Sequence, residues 1–93
     1  MVAAMTLSST TIFVQWQEIP EIERNGIIIK YQIMYSFSQN PPQVDSTTEL
    51  SIGLLNLAEF ELYSIHVRGV TTAGPGPYSD PVFAMTEEDG MDF

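Results

Sequence analysis

The chain has 93 residues, 44% of them apolar, with 12 acids, 3 bases and no cysteine. That length makes one domain, and chains of this size bury only about 60–65% of their unfolded surface, so the core has to be efficient. The cysteine count excludes a disulfide scaffold and a thiolate metal site, and with a net charge of −9 no nucleic acid, heparin-like polymer or anionic membrane is expected as a partner.

Arg24, Lys30 and Arg68 are too scattered to form a basic patch, whereas Glu87, Glu88, Asp89 and Asp92 crowd the last seven residues. No apolar run approaches the ~18 residues of a spanning helix, so no direct membrane insertion is expected. Residues 1–7 lack the basic head of a signal peptide. The chain is expected to be one module of a longer protein, with the domain at residues 1–86 and an acidic linker or tail at 87–93.

Taken in order, MVAAMTL supplies a first strand. In TTIFVQWQ, Ile12, Val14 and Trp16 fall on one side and Phe13, Gln15 and Gln17 on the other, the period of a half-buried strand. Residues 18–26 are polar, acidic and broken by Pro20, so they form a loop, with Asn25-Gly26 turning into the next strand. IIIKYQIMYS is that strand. Its odd positions, Ile27, Ile29, Tyr31, Ile33 and Tyr35, are the more apolar and are expected to face the core; Ile28, Lys30, Gln32, Met34 and Ser36 face outward. Residues 38–47 are turn-rich, with room for a short edge strand. Leu50, Ile52 and Leu54 alternate. Residues 63–70 alternate again, with Tyr63, Ile65 and Val67 inward and Ser64, His66, Arg68 and Val70 outward. Gly74-Pro75-Gly76-Pro77 breaks the chain, and a last strand is expected from Tyr78 to Thr86. Short strands separated by turns every 8–12 residues, with no convincing helix, predict an all-β sandwich.

In order and spacing, these landmarks resemble a fibronectin type III domain across residues 2–86. Trp16 stands at the second-strand tryptophan, Tyr31-Gln32-Ile33 at the third-strand tyrosine, Leu57 and Tyr63 at the E–F corner, and Gly74-x-Gly76-x-x-Ser79 at the final loop. The resemblance implies a seven-stranded Greek-key β-sandwich whose core includes Trp16, Tyr31, Ile33, Leu57, Tyr63 and Val67. It departs from the family pattern at Glu59, where a proline is usual, and at Phe60 and Leu62, where polar residues are usual. The two apolar residues point to contact around the corner.

Chemistry is sparse. The only histidine, His66, faces outward with Ser64 and Arg68 beside it and is expected to be an exposed surface residue. Ser64 and Ser79 have no histidine–carboxylate constellation about them, so no enzyme is expected. Glu18, Glu21 and Glu23 and the acidic tail lack calcium-loop spacing, so no metal or cofactor is expected. Neither an Arg-Gly-Asp loop nor a Trp-Ser-x-Trp-Ser element occurs, and no Asn-x-Ser/Thr sequon is present.

What remains is surface. The resemblance implies that the third and sixth strands share a sheet, so Ile28, Lys30 and Met34 on the third and His66, Arg68 and Val70 on the sixth are expected to share one outward face. Basic and apolar side chains would meet there on an otherwise acidic domain, the mixture that protein interfaces favour. The resemblance implies a non-catalytic, extracellular interaction and spacer module of a multidomain cell-surface receptor, adhesion or matrix protein, with an ectodomain module of a receptor phosphatase or kinase whose catalysis lies elsewhere as one alternative. It would contact a protein partner or neighbouring domains. A mechanical array unit of an intracellular muscle-type giant protein is the other alternative.

Overall fold

The computed structural model describes residues 2–18 and 26–88. The expectations for Arg24, Asn25, Glu21, Glu23 and residues 89–93 lie outside these. Eight strands are described: β1 (Val2–Thr6), β2 (Ile12–Trp16), β3 (Ile28–Phe37), β4 (Gln43–Thr47), β5 (Ser51–Leu54), β6 (Leu62–Thr71), β7 (Gly74–Pro75) and β8 (Val82–Met85). One antiparallel sheet has the order β1-β2-β5; the other has β4-β3-β6-β7, with β8 also paired to β6.

Period-two alternation builds both sheets. Ile12, Val14 and Trp16 on β2 and Tyr63, Ile65 and Val67 on β6 point between the sheets, where they meet Tyr31, Ile33 and Tyr35 of β3, Leu54 and Leu57. Trp16 lies tilted against Tyr31, their rings 5.5 Å apart. All six residues assigned to the core from sequence are buried. The connection at 38–47 contains the edge strand β4, which the turn-rich sequence left room for.

Two expectations need correction. Ile27 and Ile29 do not face the core; they are 72% and 51% exposed. The register of β3 against β6 shifts between Ile28 and Lys30. An inserted residue reverses the side on which each side chain falls, so Ile28 packs against the core instead. Gly26 precedes this irregularity at φ 105°, a conformation open to glycine and costly for other residues.

The last strand is not continuous from Tyr78 to Thr86. Within that range only Val82–Met85, β8, forms a strand, after Pro81, which has no N–H for the ladder; β7 lies earlier, at Gly74–Pro75 in the breaker cluster expected to be a loop, and both pair with β6. Ser79 bridges the gap: its N–H donates to the Val67 carbonyl at 2.8 Å and its hydroxyl oxygen accepts from the Val67 N–H at 3.0 Å. The final-loop serine thus supplies both halves of a missing ladder step.

The molecule extends 49 × 24 × 18 Å. At one pole three separate segments are bonded together. The Tyr63 hydroxyl accepts from the Ala58 N–H at 2.7 Å. Thr86, only 2% exposed, donates its hydroxyl to the Ala58 carbonyl at 2.7 Å and accepts from the Glu61 N–H at 3.0 Å. Glu87 N–H donates to the Ser8 carbonyl, and the Glu87 carbonyl accepts from the Phe60 N–H. The hydrogen-bonded backbone of this pole therefore includes Glu87, one residue past the expected boundary at 86. Beside this pole the Tyr35 hydroxyl donates toward Gln43 and Asp45, each at 3.2 Å. Burial, then the Asp45 carboxylate, pushes the Tyr35 hydroxyl up to about 12.

Candidate protein-interaction face

The outer face of the larger sheet is laid out by the pairing of β3 with β6. Lys30 lies opposite Val70, Gln32 opposite Arg68, Met34 opposite His66 and Ser36 opposite Ser64. Lys30 and Arg68 are therefore diagonal neighbours, a separation within reach of long side chains. Pairing with β4 adds Val44 beside Met34, and pairing with β8 adds Phe83 beside Ser64. Both are exposed.

Arg68 is held rather than free. Its Nε donates to Gln32 Oε1 at 2.8 Å, and its guanidinium stacks 4.2 Å from the centre of the Tyr78 ring. Stacking fixes the plane and the Nε bond fixes the rotation, so the two terminal nitrogens are aimed as a fork. A planar fork of this kind suits a carboxylate bidentately. Among the described residues, no carboxylate pairs with Lys30 or Arg68, although the chain carries 12 acids.

His66 is half-buried rather than an exposed surface histidine. Its Nδ1 lies 2.9 Å from the Ser79 carbonyl, so that nitrogen carries the proton and donates. The ring also meets Tyr78 edge-on, 6.2 Å between centres. Tyr78 therefore clamps two outward side chains of β6 at once.

Two further placements change. Ile28 belongs to the packing side, for the register reason above, and leaves the face. Val70 keeps its outward parity but is only 8% exposed, because it lies between Lys30 on β3 and Pro75 on β7 in the same register. Of the six residues expected on the face, Lys30, Met34, His66 and Arg68 are brought together as an accessible group. Gln32, Val44, Tyr78 and Phe83 join them. Gln32 stood at an outward position of the third strand without being singled out. Tyr78 and Val44 carried no signal, since their segments looked like a strand start and a loop.

The arrangement offers binding chemistry and no catalytic constellation. The Ser79 hydroxyl is occupied by the Val67 N–H, His66 by the Ser79 carbonyl, and Ser64 lies against Ser36 with their hydroxyl oxygens 3.4 Å apart. Among the described residues no group of three or more His, Cys, Asp or Glu is placed to hold a metal ion.

The family model described as fibronectin type III domain matches residues 1–85. Mouse receptor-type tyrosine-protein phosphatase F is 37% identical over 94 residues, covering 95% of this chain and 5% of that protein. Mouse protein sidekick-2 is 31% identical over 94 residues, covering 95% of this chain and 4% of that protein. Among solved structures, the fn3 domain of human contactin 1 superposes with a TM-score of 0.85 at 31% identity, covering 99% of this chain and 78% of that one. The FN5 domain of Drosophila Lar gives 0.77 at 27% identity, covering 94% and 91%. The chain thus spans only 4–5% of the length of those two curated relatives.

Proposed function

The chain belongs to the fibronectin type III family, and on that footing we propose that it is a non-catalytic protein-interaction and spacer module of a cell-surface receptor or adhesion protein, placed outside the cell. Similarity to receptor phosphatases, sidekicks and contactin supports this setting. The phosphatase match covers 5% of that protein, and this stretch carries no cysteine. Any catalysis in the parent would lie in other domains. The domain occupies residues 1–86 in this proposal, and the acidic residues that follow join it to whatever comes next.

The observation that carries the reading is Arg68. A cation stacked on Tyr78, oriented by Gln32 and paired with no carboxylate among the described residues suits a carboxylate brought by another protein. Lys30 adds a second charge on the diagonal, while Met34, Val44 and Phe83 supply apolar area nearby.

The experiment is a kinetic one on the parent ectodomain and its partner. Lys30→Glu with Arg68→Glu is expected to slow association by about tenfold at low salt, and the effect shrinks as salt rises. Met34→Asp is expected to speed dissociation by putting a charge where apolar area is covered. Unchanged kinetics in both variants would leave the module as a spacer alone.

A further inference from the structure

The face on β3 and β6 leaves a second feature without a role. Phe60 and Leu62, apolar where the family pattern is polar, are 56% and 54% exposed. Phe60 also holds its backbone at φ 54°. A bulky residue in the left-handed region is an outlier that persists only where surrounding bonds impose it. Here the bond is visible: the Phe60 N–H donates to the Glu87 carbonyl at 3.1 Å. The strained turn that presents the ring is therefore tied directly to the backbone by which the chain leaves the domain.

The surroundings form a platform. Glu87 N–H reaches Ser8, next to Leu7, which is 53% exposed. Thr86 locks residues 58 and 61 to the same exit strand. The Thr6 hydroxyl donates to the Met85 carbonyl at 2.7 Å, bringing the end of β1 against the end of β8. Three segments distant in sequence are thus fixed to one another before any partner arrives. Beside Tyr63 at this end of β3 lies an open groove of about 280 Å³, lined by Phe37, Asn40, Pro41 and Pro42. Glu59, Glu61, Glu87 and Glu88 lie along the same segments as the exposed apolar residues.

We propose that this pole, centred on Phe60, Leu62 and Leu7, is a docking platform for the module joined to the exit of the domain in the longer polypeptide, and that the facing surface of that module has an apolar centre and a basic rim. Two features select this occupant. The chain leaves through the platform itself, so whatever is joined there is held at high effective concentration. A second copy is disfavoured, because like poles would set the four glutamates of one against those of the other. The inference rests on the reading of the chain as one module of a longer protein; Leu62 and Met85 continue the outer side of the larger sheet past Ser64 and Phe83, whereas Lys30 and Arg68 lie farther along β3 and β6.

The test compares amide spectra and rotational tumbling of this domain alone and in the natural polypeptide extended through its next module. Shift changes at Leu7, Phe60, Leu62 and Met85, with one tumbling time shared by both modules, are expected. Phe60→Asn with Leu62→Thr is expected to confine the changes to the joint and separate the two tumbling times. The isolated domain should melt as before, since asparagine tolerates the left-handed backbone. Glu87→Lys with Glu88→Lys, which touches no buried side chain, is expected to uncouple the modules as well. Lys30→Glu with Arg68→Glu should leave the coupling intact. Independent tumbling in the unaltered protein would overturn the proposal in favour of a free linker. Shifts at the same residues that grow with concentration of the isolated domain would overturn it in favour of a second copy. Coupling that survives both pairs of substitutions would place the contact elsewhere.

Discussion

Trp16→Ala is expected to lower the unfolding free energy by about 3–5 kcal/mol, a loss that takes most of the stability of a domain this small. Trp16 is buried on β2 in line with Ile12 and Val14 and lies against Tyr31. The cost is one of packing, since its Nε1 is buried without a hydrogen-bond partner among the described residues. Trp16→Phe should therefore cost much less: it keeps most of the ring contact and removes a polar atom that is poorly placed. Denaturant melts followed by circular dichroism measure both. A Trp16→Ala protein that melts like the parent would mean that β2 turns its other side to the core.

Thr86→Val is the second large effect, expected at about 2–4 kcal/mol. The substitution keeps shape and burial and removes the hydroxyl that serves the Ala58 carbonyl and the Glu61 N–H. Two backbone groups lose their partner in a site with little access to water, and each such loss costs about 1–3 kcal/mol. Tyr63→Phe orphans only the Ala58 N–H, so it is expected to cost less than Thr86→Val in the same melts. The reverse order would mean that the tyrosine, and not the threonine, holds the corner.

These two residues show what sequence can reveal. Trp16 announces itself, because alternation around it is a local pattern and the core side is the apolar one. Tyr63 is legible for the same reason, with Leu57 six residues before it. Thr86 is not: its partners lie 25 and 28 residues away, and a threonine at a strand end looks ordinary. The bulge at Ile28 was hidden by an unbroken apolar run, in which either parity would have looked buried at its start. The late start of β8 was foreshadowed by Pro81, but the compensating bonds of Ser79 required the neighbouring strand. On the interaction face, the outward side of Lys30, Met34, His66 and Arg68 follows from alternation, and their meeting on one sheet from the resemblance to the family. The clamp on Arg68 follows from neither, since Gln32 and Tyr78 are 36 and 10 residues from it and meet it only through the pairing of β3 with β6 and the return of the segment between β7 and β8 along β6.

That clamp is the centre of the functional account, and mapping the contact on the assembled complex tests it most directly. In hydrogen–deuterium exchange on the parent ectodomain, with and without its protein partner, residues 30–34 and 66–70 and the segment carrying Tyr78 are expected to gain protection, and that gain should be lost in Arg68→Glu. Protection that appears only in the loops at the poles, with the outer face of β3 and β6 exchanging as in the free protein, would contradict the account.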